Sequence, residues 1–219
     1  MKRSIVITGD GSPTLYVPEL GEHYHSIHGA IRESNHIFIT AAFEQVKKTP
    51  VRVLEYGMGT GLNILLTFLS AKSTNKTVYY HTIEKYPVLM QEVNQLNLSE
   101  EEYGDESGLL EQFNNAEWDK EVLINESFTL FKEKADFRAA RPGGAFDVIY
   151  FDAFAPEIQP DLWTEKLFRK IYESAGPGAI LTTYSVKGIV RRNLEKAGFK
   201  TEKLPGPPGK REITRASKS

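Results

Sequence analysis

A chain of 219 residues is long enough to bury one sizeable core and too short to divide into two large domains. Its 40% hydrophobic and 26% charged residues are ordinary for a globular protein, and no apolar run approaches the ~20 residues that cross a bilayer. The opening MKRSIVITGDG lacks the apolar stretch of a signal peptide, so a cytoplasmic location is expected. With no cysteine there is no disulfide framework, no thiolate nucleophile and no cysteine-ligated metal. The net charge of −2 hides an asymmetry: Lys187 to Ser219 holds ten Lys/Arg against three Glu, a local +7 on a body at −9. Such a basic segment suits a polyanion, or is simply a solvated surface.

SIVITGDGSPTLYVP reads as a small hairpin and HSIHGAIRESNHIFITAAFEQV as a helical cover, so residues 1–50 are expected to form an extension over a main domain spanning 51–219. From Val51 onward, apolar strand-like runs alternate with helical stretches, the pattern of an α/β fold with a mostly parallel sheet. VRVLEYG predicts a buried first strand, GLNILLTFLSAK the helix behind it, TVYYHTIE a second strand, and PVLMQEVNQLN a helix opened by Pro87. The polar stretch Ser99 to Lys120 reads as a helical or irregular insertion before a third strand, EVLIN. FDVIYFDAF is the next strand, followed by helix PDLWTEKLFRKIYESA, a turn at GPG, strand AILTTYS and helix VKGIVRRNLEKAG closed by Gly198. FKTEKL and REITRAS around PGPPGK then form an antiparallel hairpin on a sheet edge.

The central motif is Glu55-Tyr56-Gly57-Met58-Gly59-Thr60-Gly61, set between a strand and a helix. Glycines there let the backbone approach a ligand at the carboxyl edge of the sheet, although an ordinary strand-to-helix turn would use them too. An acid two residues before the first glycine would oppose a pyrophosphate and suits a cationic ligand, such as the ammonium of a methionine moiety. Glu84 ends the second strand, where an acid can accept both hydroxyls of a ribose; the alternative is a plain surface glutamate. Asn125-Glu126, after the third strand, occupies the position that would read an adenine amine, with helix capping as the alternative for Asn125. Asp152-Ala153-Phe154-Ala155-Pro156 follows the next strand and is similar to the acid-aromatic-proline motif with which amine-directed methyltransferases hold their acceptor. An amine attacks a methyl group only as the free base. Asp152 is therefore the candidate to take or steer its proton, beside the cofactor, and Phe154 the candidate platform.

Four segments together carry a more specific resemblance. These are Tyr24-His25-Ser26 with Gly29-Ala30 and Glu33 to Phe38, the EYGMGTGLN turn, DAFAPEIQPDLW, and Val190-Arg191-Arg192 with Ala197-Gly198-Phe199 and Lys210-Arg211-Glu212. In them the chain resembles the methyltransferase half of the tRNA 5-methylaminomethyl-2-thiouridine biosynthesis enzymes, the MnmC/MnmD family. The resemblance implies a class I methyltransferase fold, S-adenosylmethionine as cofactor, and tRNA as partner. It also implies N-methylation of the aminomethyl group on a wobble uridine. By family position Tyr24, His25 and Ser26 lie over the acceptor pocket, while Arg191, Arg192, Lys210 and Arg211 are phosphate contacts. Relatives carry a flavin-dependent oxidase for which this chain is too short, so no FAD is expected. His23, His25 and His28 have no acid-rich or cysteine partner cluster, and methyl transfer from a sulfonium needs no metal, so no metal site is expected. Trp163 reads as core. The oligomeric state stays open. The rival readings are an aminopropyltransferase of the spermidine synthase type and a non-catalytic protein that binds tRNA or the cofactor.

Overall fold

The computed structural model describes residues 2–96 and 108–219. Residues 99–107 of the insertion expected between Ser99 and Lys120, and the last residue of the helix expected from Pro87, lie outside the described residues. Among the described residues eight strands form one sheet; from one edge to the other it runs β10 (Lys200–Pro205), β11 (Glu212–Ser217), β9 (Ala175–Thr183), β8 (Phe146–Phe151), β4 (Val51–Tyr56), β5 (Val78–Ile83), β7 (Phe128–Glu133) and β6 (Glu121–Asn125). Its parallel centre is β4, β5, β7, β8 and β9. β8 is buried along its whole length, and β4 and β5 nearly so, as apolar runs covered on both faces must be.

The register decides where a ligand can sit. Phe151, Tyr56, Ile83 and Glu133 lie side by side as the last residues of β8, β4, β5 and β7. Asp152, Gly57, Glu84 and Lys134 therefore leave the sheet from one row, and three backbone bonds continue the ladder one residue further: Asp152 N to Tyr56 O, Gly57 N to Ile83 O and Glu84 N to Glu133 O.

Two sequence expectations change here. The third parallel strand is β7, a segment for which the sequence pattern predicts no element. β6 (Glu121–Asn125) is an antiparallel edge strand paired to it, with Asn125 opposite Phe128. The segment between them is a tight turn in which Asn125 Oδ1 accepts from Ser127 N at 2.9 Å. The expected turn at GPG is instead part of β9, which bends there through a register shift against β8. β10 (Lys200–Pro205) and β11 (Glu212–Ser217) form the expected C-terminal hairpin, β11 lying antiparallel to β9.

Helix α2 (Leu62–Ser73) is apolar nearly all round because both of its sides are covered. Ile64, Leu65 and Phe68 belong to the main core, while Leu62 and Leu66 pack against Ala30 and Ile39 of the N-terminal cover. The cover comprises a three-stranded sheet, β1 (Ser4–Ile7), β2 (Pro13–Val17) and β3 (Glu22–His23), then helix α1 (Ala30–Ser34), a π-helical segment at Asn35–Thr40 and a 3-10 turn at Phe43–Gln45. Helix α3 is only Met90–Val93, and α4 is Leu109–Asn115.

After β8 the chain makes a 3-10 turn at Pro160–Leu162, and Thr164 caps α5 (Glu165–Ser174) by accepting from Leu167 N. Leu167, Phe168 and Ile171 are then buried on one face, each contributing roughly 1.5–3 kcal/mol of apolar burial. α6 (Gly188–Ala197) ends at Gly198, whose φ of 113° is the left-handed stop that glycine adopts without strain.

Candidate active site

The row of strand ends opens into a cavity of about 580 Å³ roofed by the N-terminal cover. Gly57, Met58 and Gly59 line it; Thr60 and Gly61 turn away, Thr60 buried and Gly61 opening α2. Gly57 has φ +102°, and a Cβ on it would lie 2.4 Å from the carbonyl oxygen of Asp152, so the glycine turn and the acid of β8 meet by direct backbone contact.

Glu84 faces the same cavity from β5. Gly59 N donates to one of its carboxylate oxygens at 3.2 Å and Tyr86 N to the other at 2.7 Å; burial raises its pKa, opposed by these bonds. Lys85, Tyr86, Asp136, Phe137 and Arg138 complete this half. The segment after β7 thus stands where Asn125 and Glu126 were expected. Those two lie at the opposite end of the sheet, five residue steps or roughly 17 Å away along β7, because β6 runs antiparallel.

Glu55 also departs from expectation. It is fully buried beneath the cavity, its oxygens taken by Asn63 Nδ2 at 3.0 Å and Thr82 Oγ1 at 2.7 Å, and burial pushes its pKa up to about 8. It is not placed to meet a ligand's ammonium. Instead, Asn63 Nδ2 also donates to Asp152 Oδ2 at 3.0 Å, so one amide group ties the two acids together. Asn63 closes the EYGMGTGLN motif, but the sequence pattern assigns it no role; its other signal is a polar side chain in an apolar helix.

Asp152 and Phe154 line the other half of the cavity. Burial pushes the Asp152 carboxyl up to about 7, and the bond from Asn63 opposes the rise. The Phe154 ring meets the edge of Tyr24 at 5.3 Å between centroids. Trp163 is core, as expected, and its Nε1 donates to Phe154 O at 2.8 Å. Tyr184, which sequence reasoning passed over, donates to Ala153 O at 2.8 Å and lines the cavity.

Tyr24 lies against Gly59, and its hydroxyl accepts from Arg3 Nε at 2.9 Å. Arg3 also pairs with Glu92 at 2.8 Å and donates to Tyr86 O at 2.8 Å, so one nearly buried guanidinium straps the cover across the cavity to the loop after β5. Replacing Arg3 by Ala leaves Glu92 without its cation and is expected to cost roughly 3 kcal/mol. Thermal unfolding should show it as a Tm lowered by about 6–12 °C, and a change under 2 °C would make the strap incidental.

His25 and Ser26 line the cavity. His25 Nδ1 is 3.0 Å from Thr14 Oγ1, and burial drives its pKa down to about 4, leaving it neutral. His23 packs on Tyr16, and His28 is exposed. Of the four expected phosphate contacts, Arg192 and Arg211 are exposed and Arg191 is half-buried, 3.6 Å from Glu195. Lys210 differs: it lines the cavity, its Nζ 2.6 Å from Glu33 Oε1 and 4.3 Å from the centre of the Tyr184 ring.

The donor set fits S-adenosylmethionine. The glycine turn leaves room for an amino-acid end, Glu84 suits a ribose diol, Phe137 and Tyr86 offer apolar and aromatic surface for an adenine, and the acids suit a sulfonium. A family model for S-adenosyl-L-methionine-dependent methyltransferases matches residues 130–219. The bifunctional protein MnmC of tRNA 5-methylaminomethyl-2-thiouridine biosynthesis from Cupriavidus metallidurans is 31% identical over 95% of this chain and 33% of its own length. The Burkholderia multivorans protein of the same name is 30% identical over 91% and 33%. The chain thus spans about a third of the length of the curated relatives it matches. Among solved structures, MnmC2 from Aquifex aeolicus superposes with a TM-score of 0.83 at 27% identity, over 99% of this chain and 70% of that one. Spermidine synthase from Thermotoga maritima reaches 0.59 at 15% identity, over 100% and 72%, a likeness of fold alone.

Fold and family match define a class I S-adenosylmethionine-dependent methyltransferase. Within that class it is a domain like the methyltransferase part of MnmC. Among the described residues no helix is long and apolar enough to cross a membrane.

Proposed function

We propose that this enzyme N-methylates the aminomethyl group of 5-aminomethyluridine, with or without a 2-thio group, at the wobble position of tRNA in the cytoplasm. The observation that carries the reading is a half-buried acid, Asp152, facing the cavity beside an aromatic platform and directly abutting the glycine turn. The names of the relatives support the choice of acceptor.

Bound S-adenosylmethionine supplies an electrophilic methyl group on a good leaving group. Glu84, the turn Gly57–Gly59 and the Phe137 and Tyr86 surfaces would hold it. An alkylammonium titrates near 10, like that of lysine at about 10.4, so the acceptor arrives protonated and must lose a proton to react. Asp152 stands ready to accept that proton through its free oxygen while Asn63 holds the other. A carboxyl tuned close to the working pH is an effective base there, whereas one at the ordinary carboxylate value is a weak one. Phe154 and Tyr24 orient the substrate, and alignment supplies much of the rate.

Because Asp152 works as the carboxylate and titrates at about 7, kcat/KM is expected to fall about tenfold per pH unit below 7 and level off above it. A profile flat from pH 5.5 to 8 would remove Asp152 as the base. The stability sign is opposite: folding raises this pKa from 3.8, so its ionisation costs stability as pH rises from about 4 to 7. The direct test of function is transfer of labelled methyl to unmodified tRNA and to tRNA bearing 5-aminomethyluridine. Label only in the second, recovered as methylaminomethyluridine, is expected; label in neither overturns the reading.

A further inference from the structure

The ion pair between Glu33 and Lys210 has no part in the chemistry so far, yet it occupies the acceptor wall of the cavity. Glu33, on α1, is 9% exposed; its second oxygen is anchored by Ser26 N at 2.8 Å, so its direction is set by the cover. Lys210 comes from the opposite side, the loop between β10 and β11, and its ammonium rests on the Tyr184 ring. Both charges act on Asp152, Glu33 raising and Lys210 lowering its affinity for a proton, which places the pair beside the acid that handles the amine. The Lys210 side chain keeps 30% of its surface exposed and Glu33 11%, so the pair stands at the cavity surface, where a ligand can reach both charges.

The pair presents an N–H donor and a carboxylate acceptor next to each other, 2.6 Å apart. A uracil ring presents the complement on adjacent atoms: a 4-carbonyl that accepts and an N3–H that donates. The substituent on C5 stands next to that carbonyl, so a base with its amine on Asp152 turns this edge toward the pair. Enzymes that act on a nucleobase commonly read its Watson–Crick edge in this way.

We propose that Glu33 and Lys210 are specificity residues that read the uracil edge, Lys210 Nζ donating to the 4-carbonyl and Glu33 accepting from N3–H while Asp152 holds the amine. This rests on the substrate reading above. Cytosine reverses the pattern at the same two positions, with an N4 amine that donates and an N3 that accepts, and so meets like against like.

The experiment compares two anticodon stem-loop RNAs, one carrying 5-aminomethyluridine and the other 5-aminomethylcytidine at the same position, by labelled methyl transfer and by equilibrium binding. The wild-type chain is expected to favour the uridine in kcat/KM by roughly 50-fold or more. Lys210→Met and Glu33→Gln should each narrow that ratio to under about fivefold, through loss on the uridine and gain on the cytidine. Lys210→Met keeps the aliphatic stem in its loop and serves if the Glu33 variant does not fold. Equal use of both RNAs by the wild type overturns the assignment, as do variants that slow both in proportion, which would mark the pair as a clamp on the cover. Transfer to neither RNA overturns the substrate reading and takes this assignment with it.

Discussion

Asp152→Asn is expected to lower kcat by roughly 10²–10⁴-fold while changing S-adenosylmethionine affinity by less than about threefold. The asparagine keeps the shape and can still accept from Asn63 through its carbonyl oxygen, so the loss isolates the missing base from any repacking. The acid limb of the pH profile should vanish from the residual activity, because the group that titrates at about 7 is gone. Single-turnover transfer together with calorimetric cofactor binding separates the two effects. Turnover within about threefold of the wild type would remove Asp152 from the chemistry.

The second large effect is expected from Gly57→Ala. The new Cβ must occupy a φ of +102° and would lie 2.4 Å from the carbonyl oxygen of Asp152 and 3.1 Å from its carbon, both backbone atoms of the neighbouring strand end. Left-handed strain of roughly 1–2 kcal/mol and overpacking of about 1–3 kcal/mol add, since neither can relax without moving β4 from β8. A loss of about 3 kcal/mol corresponds to a Tm lower by about 6–12 °C. Cofactor affinity should fall at least about tenfold, because the displaced backbone is the one that faces the ligand. Normal affinity with a lowered Tm would place the cofactor away from this turn.

The parallel centre of the sheet was legible where strands are apolar along their whole length, as in VRVLEY and FDVIYF, and where glycine marks a strand end. β7 was not. Its FTLFKE alternates buried and half-buried residues, and the turn joining it to β6 has no glycine or proline, only Asn125 bonding to Ser127. Missing that hairpin reversed the direction of EVLIN and sent Asn125 and Glu126 to the wrong edge. At the site, Gly57, Gly59, Glu84, Asp152 and Phe154 share a chain-local pattern with their role, whereas Glu33, Asn63, Tyr184 and Lys210 come together only through tertiary packing. Glu55 shows the converse. It has the right spacing for a ligand contact, but the alternation of β4 points its carboxyl into the core.

The π-helical segment Asn35–Thr40 ties the cover to the sheet. One surplus residue widens this turn, with Ala41 N reaching His36 O, and lets Ile37, Phe38 and Ile39 be buried in succession. Ile37 and Phe38 line the cavity, and Phe38 rests on Tyr150 at 5.1 Å. Deleting a residue here would restore ordinary helical pitch and rotate those side chains out of register with the wall. Ile37 and Phe38 share one core with Met58 of the glycine turn and Ile64 and Leu65 of α2, so the cavity wall and the support of that turn are set by the same packing.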